Sequence, residues 1–226
     1  MAPAREVVTH SPKRQVGRIN CRWFQDKPID HESRLEKHFV YRALLFPGLA
    51  TIEHQPFKIF LQTSRQSYTP DFRLIFANGQ RVVVEVKRSE KIKALKERFG
   101  LIATMLAEGG YSFYVVHQGQ IDGDFRAQRA GLIRRYAMHS VERGLIKRAI
   151  EFVGLYPTGV PIGRLTAALK MSEPQLYHLL ARRYVTADRR LSLSTDDLVF
   201  PVHKEITNAA HQFGNWFGCA PWRTNP

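Results

Sequence analysis

Tyr68 to Lys87 reads YTPDFRLIFANGQRVVVEVK, and its alternation decides the fold. Phe72, Leu74 and Phe76 alternate with Asp71, Arg73 and Ile75, and beyond Asn78-Gly79-Gln80 the residues Val82, Val84 and Val86 alternate with Val83, Glu85 and Lys87. A period of two in two runs divided by Asn and Gly marks a β-hairpin with one apolar and one mixed face. A two-residue Asn78-Gly79 turn would set Phe76 against Arg81 and Phe72 against Glu85, mixing the faces. A three-residue loop, Asn78 to Gln80 with Gly79 left-handed, instead pairs Phe76 with Val82, Leu74 with Val84 and Phe72 with Val86. In that register Asp71 faces Lys87, and Glu85 lies diagonally on the same face, roughly 7–8 Å away.

Upstream of the hairpin, TIEHQPFKIFLQ (51–62) reads as another strand. It is preceded by a helix that Asp30 or Ser33 can cap, with Leu35, Phe39, Ala43 and Phe46 on one stripe and Pro47-Gly48 as the stop. Downstream, Ile92, Leu95, Phe99, Ile102 and Leu106 recur at spacings of three and four, so the pattern predicts a helix over about 90–108 closed by Gly109-Gly110. A strand SFYVVHQ follows. The order α-β-β-β-α-β implies an α/β fold, a mixed sheet flanked by helices.

The rest of the chain is organised differently. Residues 1–27, with Arg5, Lys13, Arg14, Arg18 and Arg22, read as a basic and mostly irregular arm, and 28–139 form the sheet-containing domain. Residues 140–203 read as helices 141–154, 161–170 and 173–184, then short strands around LSLS and LVFP, the order of a small winged-helix-like domain. Ser172 before Glu173-Pro174 is the helix start there. Residues 204–226, carrying Phe213, Trp216, Phe217 and Trp222, look like a docking tail, the alternative being that these aromatics cover the domain's own core.

Composition narrows the function. The 226 residues include 34 Lys and Arg against 20 Asp and Glu, a net charge of +14, and most of that excess falls in the first 140 residues. That balance argues against a neutral metabolic enzyme and for a polyanionic partner. With 44% hydrophobic residues the chain can bury a core. No apolar run is long enough for a membrane span and the start lacks a secretory signal, so a cytoplasmic, nucleoid-associated protein is expected. Cys21 and Cys219 form no CxxC unit, and the nine histidines show no ligand spacing.

The hairpin carries the chemistry. Two carboxylates brought together repel unless a cation lies between them, and hard oxygen ligands favour Mg²⁺, for which Mn²⁺ substitutes. Lys87 beside them can orient a metal-bound water and balance charge on a phosphate. The bland alternative is an ordinary cross-strand salt bridge between Asp71 and Lys87. Glu36, with Glu32 as substitute, is the third carboxylate if Asp30 caps the first helix; if Ser33 is the cap, Glu36 completes a capping box. Arg88 and Lys91 after the hairpin, and Arg182 and Arg183 near the third C-terminal helix, are candidate DNA contacts, together with Gln175, Tyr177 and His178. The arginines could equally meet an acidic protein, and Tyr177 could simply pack the domain.

At these residues the sequence resembles the PD-(D/E)xK nuclease superfamily: Pro70-Asp71, then Glu85-Val86-Lys87, with Glu36 on the preceding helix. More narrowly, ESRLEKHFVYRALLFPGLATIEHQPFKIF (32–60) followed by YTPDF and EVK is similar to the TnsA-type endonuclease subunits of heteromeric bacterial transposases. The resemblance covers roughly residues 30–118 and rests on Ser33-x-x-Glu36, Gln55-Pro56, Pro70-Asp71 and Glu85-x-Lys87. It implies a restriction-endonuclease-like domain that nicks the 5′ ends of a transposon with Mg²⁺. The same resemblance implies a DDE-type (TnsB-like) transposase that cuts and joins the 3′ ends, and an AAA+ (TnsC-like) ATPase as regulator. Carried over, Asp71 and Glu85 are metal ligands with the Val86 carbonyl, Lys87 is the water-orienting base and Glu36 an additional carboxylate. Some family members carry Gln at the position of Glu85. The competing readings are a stand-alone restriction or repair nuclease and a non-catalytic DNA-binding adaptor.

Overall fold

The computed structural model describes residues 15–61, 66–203 and 206–223. Residues 1–14, with Arg5, Lys13 and Arg14 of the expected arm, lie outside them. In chain order the elements are β1 (Gly17–Ile19), β2 (Ile29–His31), α1 (Arg34–Ala43), β3 (Leu49–His54), β4 (Ile59–Leu61), β5 (Gln66–Tyr68), β6 (Phe72–Phe76) and β7 (Arg81–Lys87). There follow α2 (Ser89–Ile92), α3 (Lys96–Glu108), β8 (Ser112–His117), α4 (Gln118–Asp122), α5 (Arg126–Arg135) and α6 (Arg143–Gly154). The chain continues with β9 (Val160–Pro161), α7 (Ile162–Leu169), α8 (Glu173–Ala181), β10 (Val185–Ala187), β11 (Leu198–Pro201) and α9 (Ala209–Phe217). They divide into two compact units, 1–39 with 48–121 and 206–226, and 40–47 with 122–205.

The first unit is built on a four-stranded mixed sheet in the order β3-β6-β7-β8, antiparallel except for the parallel pair β7-β8. Parallel neighbours need a crossover, which the α2-to-α3 segment supplies. β7 is buried on both faces from Val82 to Val86, as expected of a strand covered on two sides. One face packs Val83, Phe113 and Val115 under Phe99, Ile102 and Leu106 of α3. On the other, Phe72 stacks on Phe39 of α1 at 5.2 Å between ring centroids, and Phe76 meets Phe213 of α9 at 5.6 Å. The expected mixed sheet with helices on both sides is therefore present.

In this unit four expectations change. The strand anticipated over 51–62 is two pieces: β3 stops at His54, Gln55 turns left-handed with φ 44°, and β4 pairs with β5 away from the main sheet. The basic arm is not irregular throughout, because β1 pairs with β2 from Gly17↔His31 to Ile19↔Ile29. The expected docking tail folds into the first unit as α9, with Phe213, Trp216 and Phe217 buried and Trp222 edge-on to Phe99 at 5.3 Å between ring centroids. Its aromatics cover the sheet's own core. Finally, the hairpin register differs by two residues: Phe72 pairs with Val84 and Leu74 with Val82, while the Phe76 N–H donates to the Gln80 carbonyl at 3.0 Å. Gln80 ends the strand because its side-chain oxygen accepts from the Ala210 N–H of α9 at 3.1 Å. Gly79 has φ 82°, the left-handed position the loop requires. A shift of two preserves the faces.

The second unit combines α5, α6, α7 and α8 with a small antiparallel sheet in the order β10-β11-β9. Its three expected helices are present, and Ser172 opens α8, its N–H donating to the Gln175 side chain at 2.8 Å. LSLS is not a strand, since Leu191 and Leu193 have φ of 52° and 63°; the partner of β11 is instead Val185–Ala187. Among the described residues no helix is long and apolar enough to cross a membrane.

Candidate active site

The two-residue shift in register decides what meets at the open end of the hairpin. Continuing the β6-β7 pairing one step beyond Phe72↔Val84 brings Asp71 level with Glu85 and leaves Lys87 diagonal. All three side chains still converge. Lys87 Nζ lies 2.6 Å from Glu85 Oε1 and 3.7 Å from Asp71 Oδ2, and the Val86 N–H donates to Asp71 Oδ2 at 2.8 Å. In an extended strand the N–H and C=O of one residue point to the same edge, so the Val86 carbonyl shares the Asp71 side.

Burial raises the Asp71 carboxyl well above its ordinary range, and the neighbouring Glu85 charge adds to the effect against the pull of Lys87. Burial alone would lower the Lys87 ammonium, but the Asp71 and Glu85 carboxylates hold it above its ordinary value. Lys87 is therefore charged at neutral pH and acts as a donor rather than a free base. Two carboxylates sharing one ammonium leave the site short of positive charge.

The cleft around this cluster has a volume of about 300 Å³. Tyr68 and Arg98 line it, and so does Gln55, whose N–H donates to the Asp71 carbonyl at 2.9 Å. The Tyr68 hydroxyl donates to Glu85 Oε2, and burial first, then the Glu85 charge, raise that phenol well above its usual range. The Arg98 guanidinium sits 5.7 Å from the Tyr68 ring and donates to the Ser67 carbonyl at 3.4 Å. The cleft thus sets cationic and acidic groups side by side.

Glu36 does not line the cleft; Glu32 does. Glu36 is engaged at the start of its own helix, receiving the Glu32 N–H at 2.6 Å and the Ser33 hydroxyl at 2.8 Å while its N–H donates to Ser33 Oγ at 3.1 Å. Its carboxyl also lies 3.5 Å from His54 Nε2. Burial raises its pKa, yet His54, the Glu32 N–H and the Ser33 hydroxyl together bring it below the ordinary carboxylate value. The bonding is that of the Ser33 capping arrangement, with a charge close enough to add to the upward shifts of Asp71 and Lys87. Among the described residues no group of three or more His, Cys, Asp or Glu is placed to hold a metal ion.

Arg88 and Lys91 are exposed just beyond Lys87. In the second unit, Arg183 donates to the Phe46 carbonyl at 3.3 Å, and its burial lowers the guanidinium to about 10. His178 is buried against the Tyr136 carbonyl at 3.1 Å, so it is not a groove contact. The Tyr177 ring packs 5.4 Å from that of Tyr136. Sequence reasoning gave no role to Tyr68, Gln55 or Arg98. Tyr68 and Gln55 had a signal, since the first sits two residues before Pro70 and the second precedes Pro56. No protein-family model and no curated protein matches this chain.

Proposed function

We propose that the first unit is a Mg²⁺-dependent DNA endonuclease of the PD-(D/E)xK type. The observation that carries the reading is the convergence of Asp71, Glu85 and Lys87 at the open end of the β6-β7 hairpin, on the α3 side of a mixed sheet. The residues fit a divalent ion: burial and the Glu85 charge raise the cost of ionising Asp71, and a +2 charge beside the two carboxylates offsets it. Asp71 and Glu85, with the Val86 carbonyl, are the groups that would hold Mg²⁺ or Mn²⁺; when bound there, such an ion activates water and neutralises charge on a phosphate. Lys87 presents its ammonium to an anionic phosphate oxygen and orients the attacking water. Tyr68 fixes the Glu85 carboxylate. Arg98, on the same cleft wall, offers a second cation to the backbone of a nucleic acid.

By its likeness to TnsA-type subunits, the chain is further proposed to cut the 5′ ends of a transposon beside a DDE-type transposase and an AAA+ ATPase. The second unit supports a winged-helix-like reading, because its elements run helix, strand, helix, helix, strand, strand from α6 to β11 and the first strand closes the small sheet. In that reading Arg182 at the end of α8 is a backbone contact, while Arg88 and Lys91 extend the catalytic cleft.

The test is product analysis of a reconstituted transposition reaction in Mg²⁺ with wild type and Asp71→Ala. The variant is expected to lose 5′ nicking while 3′ joining continues, giving fused cointegrates in place of simple insertions. Unchanged simple insertions would remove Asp71 from catalysis. Sequence-specific cutting by the wild-type protein alone would favour a stand-alone nuclease, and full tolerance of both Asp71→Ala and Lys87→Ala a non-catalytic adaptor.

A further inference from the structure

Gln55 combines three features that the carboxylate cluster does not explain. It is not a glycine, yet its φ is 44°, a left-handed conformation in which a β-carbon is crowded. It is 6% exposed, and its Oε1 has no hydrogen-bond partner among the described residues. It also lines the same cleft as Asp71 and Glu85. Backbone strain and an orphaned buried carbonyl oxygen are each unfavourable, and here they fall on one residue. Such a pairing of unfavourable features persists where the loaded site rewards it.

The chemistry of the orphan narrows what it meets. An amide oxygen carries only lone pairs, so its partner is a hydrogen donor or a cation. The acidic neighbours, Asp71 and Glu85, present acceptors. The nearby ammonium of Lys87 is already shared between those two carboxylates at 3.7 and 2.6 Å. Of the cleft's other donors, the Tyr68 hydroxyl is engaged by Glu85 and one Arg98 N–H by the Ser67 carbonyl. A divalent cation suits the site better, because it prefers hard oxygens, with Gln side-chain carbonyls among its usual ligands, and also meets the two carboxylates. Glu32 lines the cleft as well, but among the described residues no group of three or more His, Cys, Asp or Glu is placed to hold a metal ion, and the Gln55 amide is a ligand outside those types. Its position is fixed relative to Asp71, because the Gln55 N–H donates to the Asp71 carbonyl at 2.9 Å.

We infer that Gln55 Oε1 is a direct ligand of the divalent cation held by Asp71 and Glu85. The left-handed turn after β3 exists to carry that oxygen into the cleft, and Gln55-Pro56 is where the strand stops so that the turn can form. This rests on the metal-dependent nuclease reading.

The experiment uses Mn²⁺ alone, without DNA, titrated into the full chain and followed by the electron paramagnetic resonance signal of the free ion, with melting temperatures measured in parallel. Wild type is expected to bind and Asp71→Ala to lose binding. Gln55→Met, which keeps the volume but removes the oxygen, should weaken affinity by about tenfold or more, and Gln55→Glu should restore it. Gln55→Gly, which relieves the left-handed φ, should melt no lower than wild type and still lose affinity. If wild type and Asp71→Ala both fail to bind Mn²⁺, the metal reading itself fails and this inference with it. If Asp71→Ala loses binding but Gln55→Met and Gln55→Gly bind as wild type does, the nuclease reading stands and the ligand role of Gln55 is refuted. A lower melting temperature for Gln55→Gly with unchanged affinity assigns the residue to packing and also overturns the inference.

Discussion

Phe213→Ala tests whether the C-terminal segment belongs to the core. Phe213 is fully buried, with ring centroids 6.3 Å from Phe39, 5.6 Å from Phe76, 6.4 Å from Tyr114 and 4.9 Å from Phe217. Every one of those partners lies in the first unit, so truncation leaves a cavity walled by aromatic rings that have no polar route to refill it. Buried Phe→Ala changes cost about 3–5 kcal/mol, and the lost edge-to-face and tilted contacts place this one near the upper end. Against a total stability of roughly 5–15 kcal/mol that is a third or more of the reserve. At about 3 °C per kcal/mol, melting should fall by roughly 10–15 °C. The assay is thermal denaturation by circular dichroism, with Phe60→Ala as control, since Phe60 is 70% exposed and its loss should change stability by no more than about 0.5 kcal/mol. A Phe213→Ala melt within about 2 °C of wild type would refute the packing argument and return α9 to the role of a tail whose aromatics serve a partner.

Two further outcomes follow from the site. The folded-state pKa of Asp71 is raised above its unfolded value of 3.8, so the folded state holds that proton more tightly, and the associated stability, full at low pH, is lost as pH rises through the folded pKa. Asp71→Asn in chelator should therefore melt above wild type at pH 7, with the gap closing toward pH 4; a variant less stable at pH 7 would show that the carboxylate is favourable where it sits. Tyr68→Phe removes the hydroxyl that donates to the buried Glu85 carboxylate and should cost about 1.5–3 kcal/mol by urea denaturation, whereas a loss under about 0.5 kcal/mol would mean water replaces the phenol.

The hairpin was legible from the sequence because a side-chain period of two is strict: the residues expected on one face, Phe72, Leu74 and Phe76 with Val82, Val84 and Val86, do share it. The register along that face was not. It is set by where the strand ends, and Gln80 ends it through contacts with Ala210, while Asn78 Nδ2 donates to the Ile206 carbonyl at 2.9 Å. Those partners lie far along the chain and leave no mark on local alternation. The same limit hid the role of α9, because an aromatic, Gly-punctuated helix reads alike whether it meets its own sheet or another protein. The cluster of Asp71, Glu85 and Lys87 survived the error in register because a shift by an even number keeps all three on one side. Gln55 was marked only as half of the Gln55-Pro56 pair and given no role, because a left-handed Gln has no compositional signature, although Pro56 after it argued against a continuous strand.

The division of the chain also sets an order of events during synthesis. Residues 206–223 complete the first unit but follow the second unit's long segment, so roughly ninety residues separate the end of β8 from the start of α9. At translation rates of about 5–20 residues per second, the aromatic surface formed by Phe76, Tyr114 and Phe39 waits on the order of 5–20 s for Phe213 and Phe217. Throughout that interval the ribosome-bound chain displays a greasy aromatic surface, the kind that trigger-type chaperones and neighbouring nascent chains both seize. Any fragment ending before Ile206 keeps that surface uncovered and is expected to aggregate rather than persist as a smaller folded domain.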